Sequence, residues 1–166
     1  MEKETIFSSK IKYNGIFNFP DFYKFCYNWL VEETELTMNE DKYSEKIMGD
    51  SKNIEIKWKG TKEVTDYFKF EIKADFRING LTKVEINQEG IKVQTNRGSV
   101  EVKVTGTLLR DYKGKFERDA FRKFLRSIYE KWVIPSRVEQ FEHKITSEGD
   151  EFLNQAKAYL DLEGKR

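Results

Sequence analysis

The sequence is poor in the residues that most often carry chemistry. It holds one cysteine and one histidine among 166 residues. A lone cysteine excludes an internal disulfide and a cysteine-built metal site. A lone histidine excludes a histidine metal cluster, and a nucleophile–histidine pair would have to use His143. That residue lies in the charged run "EQFEHK", where a surface or boundary position accounts for it. Cys26 falls on the apolar side of a helical pattern and reads as a small buried hydrophobe. No glycine-rich phosphate loop is present, since "GDSKN" and "GTK" are only fragments of one. The reading is therefore no catalytic residue, no metal and no cofactor, more binding protein than enzyme. An Asp or Glu working inside a pocket is not excluded.

Other absences bear on setting. There are two prolines, no Pro/Ser-rich linker, no low-complexity tract and no internal repeat, so residues 1–166 read as a single α+β domain. No apolar run approaches the roughly 18 residues of a membrane span. The opening "MEKETIFSSKIKYNG" lacks the apolar centre of a signal peptide. A cytoplasmic protein without a membrane span is the expectation. The net charge is only +1, which weighs against nucleic acid as a partner.

What is plentiful is charge and aromatic bulk. Charged residues make up 36%, against about 25% in an ordinary domain, and aromatics 14%. Such a chain has a wet surface and a bulky core. Its pattern alternates between two periods. Residues 5–18 read as a strand. Pro20 then opens "PDFYKFCYNWLVEE", whose Phe22, Phe25, Cys26, Trp29 and Leu30 keep helical spacing, so 20–34 reads as a helix. Residues 35–41 read as a polar connection.

From 42 to 112 the period is two. "YFKFEIKADFRING" puts Phe68, Phe70, Ile72, Ala74, Phe76 and Ile78 on one face, with Tyr67 and charged residues on the other. Six strands are expected here, at about 42–48, 52–59, 64–78, 81–87, 90–95 and 98–110. Asn79-Gly80 is the strongest hairpin signal between them, and Glu89-Gly90 and Arg97-Gly98 are weaker ones. Gly106 is expected to mark a bend. With the first strand, the sheet is an antiparallel meander of about six or seven strands, one face wet and one covered.

Helical period returns at 116–134, where Phe121, Phe124, Leu125, Ile128 and Trp132 form an apolar stripe. Pro135 ends or kinks that helix. Val138, Phe141, Ile145, Phe152, Ala156 and Tyr159 then keep register along one long helix, 136–162, with a break near 146–150 as the alternative.

Arg118, Arg122 and Arg126 recur at i, i+4 and i+8 and form the best local basic patch for an anionic partner. The competing reading is a solvated face, because Asp119 is spaced to pair with Lys123. Lys69, Lys73 and Arg77 share the wet face with Tyr67, but Glu71 and Asp75 interleave with them, which disfavours RNA.

In element order (strand, helix, meander, C-terminal helix) the chain resembles the helix-grip fold of the START and Bet v 1-like superfamily. That resemblance implies a curved antiparallel sheet wrapped on a C-terminal helix, with a cavity for an apolar ligand between them. The phrase "IYEKWVIPSR" also resembles small archaeal proteins of unknown activity.

Two functions follow as expectations. The first is a non-enzymatic module binding an apolar small molecule or lipid, with Trp58, Phe68, Phe70, Phe76, Val102, Phe124 and Trp132 as candidate pocket residues. The second is a protein-interaction or assembly subunit, hetero- or homo-oligomeric, that uses helix 136–162 or a sheet edge.

Overall fold

The computed structural model describes residues 2–114, 120–129, 131 and 135–165. In chain order the elements are β1 (Glu2–Phe17), α1 (Phe19–Thr34), β2 (Thr37–Met48), β3 (Ser51–Glu63), β4 (Phe68–Gln88), β5 (Ile91–Arg110), α2 (Ala120–Ile128) and α3 (Pro135–Gly164). The fold is α+β: five antiparallel strands form one open sheet in the order β1-β5-β4-β3-β2, with three helices among the described residues.

Two of the expected turns do not exist. Asn79-Gly80 and Arg97-Gly98 lie inside β4 and β5, so the strands number five, not six or seven. Gly80 does take a left-handed conformation, φ 61°, but it serves a bulge. The β4–β5 register slips by one residue between Asn79 and Thr82. On the β3 side the same bulge sets Asn79 and Gly80 against the single residue Asn53, whose Oδ1 accepts a hydrogen bond from Gly80 N at 2.9 Å. Such a bulge bends its strand. The turn at Glu89-Gly90 is real: both residues have φ above zero (53° and 81°), as a two-residue hairpin needs.

Other boundaries move for local reasons. Residues 64–67 form a turn before β4, where Thr65 Oγ1 accepts from the amides of Tyr67 and Phe68. Tyr67 is thus not on the wet face; it is buried, edge-on to Phe68 at 4.9 Å. Much of the expected connection 35–41 belongs to β2, which starts at Thr37.

Helix α1 begins where Asn18 Oδ1 accepts from Asp21 N at 3.0 Å, with Pro20 in the first turn where no amide is missed. It ends at Glu35 in the left-handed conformation. Phe22, Cys26 and Leu30 of α1 enter the core with Ile54, Ile56, Trp58, Ile72, Phe76, Val100, Val102 and Val104 of the sheet. Helix α3 adds Phe152, Leu153, Ala156 and Leu160. It runs unbroken through Gly149 and crosses β1 and β5 closely. A Cβ on Gly106 would lie 2.3 Å from Ile145 Cγ2, and one on Gly149 would lie 2.6 Å from Phe7 Cε1. Gly106 is therefore a point of close approach between helix and strand. A smaller cluster of Tyr67, Phe68, Phe70, Leu108 and Ile145 lies under the start of α3.

The outer sheet face is charged and cross-paired. Lys42 meets Glu55 at 3.2 Å, Lys59 meets the buried Glu71 at 3.1 Å, and Lys10 meets Glu101 at 3.9 Å.

Candidate functional site

The six candidate pocket residues that lie among the described residues do not converge. Trp58, Phe76 and Val102 are buried in the main core. The Trp58 ring lies 5.2 Å from Tyr23, 5.3 Å from Tyr27 and 4.7 Å from Phe76, each pair edge-to-face. Phe68 and Phe70 belong to the second cluster, 5.1 and 5.8 Å from Phe141. Phe124 is 60% exposed on α2, and Trp132 lies outside the described residues. Of the basic patch, Arg122 is exposed and Arg126 is buried, with Nη2 at 2.5 Å from Glu2 Oε1. Arg118 lies outside the described residues.

One polar centre escaped the sequence reading. Glu40, on β2, stands opposite Trp58 in the ladder and so shares its inner face. Its Oε2 accepts from Trp58 Nε1 at 2.8 Å and from the Tyr23 hydroxyl. Burial, together with the Glu40 carboxylate, pushes the Tyr23 phenol up to about 12. The neighbouring Tyr43 hydroxyl donates to Glu45 at 2.7 Å, and burial and that bond raise its pKa too. One carboxylate oxygen thus holds two ring donors, which suits a lock more than a reactive group. The signal for it was an acid on a strand whose partner carries an inward tryptophan.

Thiol chemistry is not offered by Cys26, which is buried and whose pKa burial drives well upward. Among the described residues no group of three or more His, Cys, Asp or Glu is placed to hold a metal ion.

The sheet edges differ in how they are guarded. β2 is an outer strand, and it carries a bulge between Glu40 and Lys42, the inward Glu40, and the charged Lys42, Glu45 and Lys46. Those are devices that prevent strand addition. β1, the other outer strand, carries a bulge between Thr5 and Phe7, and its Lys12 carbonyl accepts from Lys157 Nζ of α3 at 3.0 Å.

The far ends of β4 and β5 are less protected. Pairing of β3 with β4 stops at Lys52–Leu81, and pairing of β1 with β5 stops at Phe17–Asn96. Beyond those points, among the described residues, the two strands pair only with each other, up to Gln88–Ile91. The result is a two-stranded arm with both flanks free of a neighbouring strand. Val84, Ile86, Ile91 and Val93 fall on one of its faces, and Ile91 is 67% exposed.

At the base of the arm the sheet outruns α1. A 21-residue strand extends about 70 Å, whereas a 16-residue helix covers about 24 Å. A cleft of about 720 Å³ opens there, lined by Phe19, Pro20, Ile47, Lys52, Leu81 and Asn96 among others. The start of α1 offers no anion site in it, because Phe19 N donates to Asn96 Oδ1 and the next amides are capped by Asn18.

No protein family, curated protein or solved structure matches the chain.

Proposed function

We propose that the protein is an interaction or assembly subunit that receives a partner strand along its β4–β5 arm. The observation that carries this is the arm itself: seven residues of β4 and five of β5 whose outer flanks meet no strand, on a sheet whose lateral edges are guarded. Unpaired backbone gives affinity to an added strand, and side chains on alternate faces give selectivity. The other expected surface is turned away from partners, since Ile145, Phe152 and Ala156 of α3 are buried against the sheet. A cytoplasmic setting and a helix-grip-like ancestry form part of this reading, supported by the free buried Cys26 and by the element order.

The test is hydrogen exchange on protein isolated with its partners from its own host, beside the same chain made alone. Slowed exchange at residues 82–88 or 91–95 in the isolated complex is expected. A complex that leaves those amides as fast as in the lone chain would defeat the proposal, as would a lone monomer from the host.

A second reading, the apolar small-molecule module, draws on the cleft beside Phe19, Ile47 and Leu81. Its volume lies within the roughly 300–1,000 Å³ typical of ligand sites. Native mass spectrometry of the same material decides it, through an adduct of small-molecule mass lost on denaturation.

A further inference from the structure

The outer face of the sheet breaks a rule of cross-strand pairing. Lys10 stands directly opposite Lys103, Lys42 opposite Lys57, and Lys59 opposite Lys73. Like charges set opposite one another weaken a sheet, so three such pairs on one face call for a compensating use. The registers align them further. Lys10, Lys103, Asp75, Lys57 and Lys42 form one row straight across all five strands. At about 4.8 Å between strands the row is about 19 Å long. Ser8, Thr105, Lys73, Lys59 and Asn39 form the row on one side of it. Lys12, Glu101, Arg77, Glu55 and Ser44 form the row on the other.

Those three rows hold eight cations and three carboxylates, while the whole chain carries a net charge of only +1. Two of the acids are already engaged: Glu55 meets Lys42 at 3.2 Å and Lys57 at 3.8 Å, and Glu101 meets Lys10 at 3.9 Å. Glu71, in a neighbouring row, is buried and paired with Lys59. Among the described residues Lys12, Lys73, Arg77 and Lys103 form no ion pair, and all four are exposed. A hollow of about 450 Å³ lies in this face, lined by Ser8, Lys10, Asp75, Arg77, Glu101 and Lys103 among others.

We propose that this face binds the phosphate backbone of a nucleic-acid duplex without reading its bases. The side chains select this occupant. No residue of the three rows is apolar or aromatic. A protein interface needs an apolar core with aromatic anchors. Stable docking on a bilayer needs inserted apolar groups as well as charge. A single strand needs rings on which its bases stack. Duplex phosphates ask only for cations at intervals. All but one of these cations are lysines, which act as point charges, whereas two-pronged capture of carboxylates favours arginine. The net charge of +1 conceals the segregation. A face with five more cations than acids leaves the rest of the chain net acidic, which turns this side of the molecule toward a polyanion.

The test is fluorescence anisotropy of the full chain with short labelled duplexes of mixed sequence, one of DNA and one of RNA, over a salt series. Binding without sequence preference is expected, with a Kd of about 1–100 µM at physiological salt. Four unpaired cations meeting phosphates should make the affinity fall about a hundredfold between about 50 and 200 mM salt. Lys73→Ala/Lys103→Ala should reduce that fall to about tenfold. The same variant should keep or raise the thermal midpoint, because it removes one partner from each of two opposed lysine pairs. Binding of either duplex supports the proposal, and the comparison of DNA with RNA identifies which one supplies the backbone. No binding to either duplex at low salt overturns it. So does binding that the double variant leaves unchanged, or tighter binding to a single strand than to its duplex. Displacement of the duplex, charge for charge, by poly-glutamate or by phosphatidylserine vesicles overturns it as well, and assigns the face to an acidic protein or to a membrane.

Discussion

The Glu40 carboxylate accepts a 2.8 Å hydrogen bond from the indole nitrogen of Trp58, across the ladder from the outer strand to its neighbour. The same oxygen takes the Tyr23 hydroxyl from α1. One acid thus ties edge strand, inner strand and helix together. It also points a charge inward on an edge strand, which discourages strand addition there. Core cohesion and edge protection share a residue.

Replacing Glu40 by Ala should therefore cost about 1–3 kcal/mol, because the buried Trp58 indole would lose its acceptor. Denaturant unfolding measures it. Glu40→Gln should cost less and should let Tyr23 ionise at lower pH. The sign follows from the raised phenol, about 12 when folded against about 10 unfolded. Its stabilising contribution is complete below pH 10 and is lost as pH rises through 12. A spectrophotometric phenol titration that is unchanged in Glu40→Gln would refute this role.

Gly106→Ala should destabilise the fold by about 1–3 kcal/mol, the usual cost of overpacking. The added methyl would fall 2.3 Å from Ile145 Cγ2, and Ile145 is fully buried between helix and sheet. The companion variant Gly106→Ala/Ile145→Ala should recover part of any specific clash. Melting curves of the single and double variants give the answer, and an additive double variant would count against the contact.

Glu89→Asn should stabilise the arm by a few tenths of a kcal/mol. Glu89 and Gly90 both hold φ above zero, and Asn is the better first residue of such a turn. Slower amide exchange at residues 84–95 is the expected outcome. Unchanged or faster exchange there would mean the turn is not what limits the arm's order.

Much of this architecture was legible in the chain, and the gaps have physical causes. β1 and α1 follow from alternation and from the Pro20 start, because both signals are local. The alternation of 68–78 gave the buried face residue by residue. The strand count failed at Asn79-Gly80 because a left-handed glycine serves a bulge as well as a turn. Only the pairing partner, Asn53 of β3 opposite the extra residue, distinguishes the two. The stripe Phe121–Ile128 shows the opposite limit. Period tells which residues share a face, but which way the face points depends on an anchor such as Arg126 with Glu2, 124 positions away in the chain. The candidate site suffered likewise. The six described residues of an apolar set that all looked inward fell into two clusters and an exposed helix.

The last prediction concerns a carboxylate without a full set of partners. Glu148, on α3 between the buried Ile145 and Phe152, has one oxygen shielded from solvent with no hydrogen-bond donor. Burial raises its pKa, opposed by Lys144 and Lys62 and assisted by Glu35. A carboxylate whose folded pKa exceeds its unfolded value favours the fold below the unfolded pKa, and that contribution is lost as pH rises through the folded one. Above the ordinary carboxyl range the raised pKa therefore weakens the fold. Glu148→Gln should accordingly raise the thermal midpoint at pH 7, and the gap to wild type should close as pH falls below the ordinary carboxyl range. A midpoint difference that persists unchanged at pH 4 would show that Gln acts by packing and not by relief of a desolvated charge.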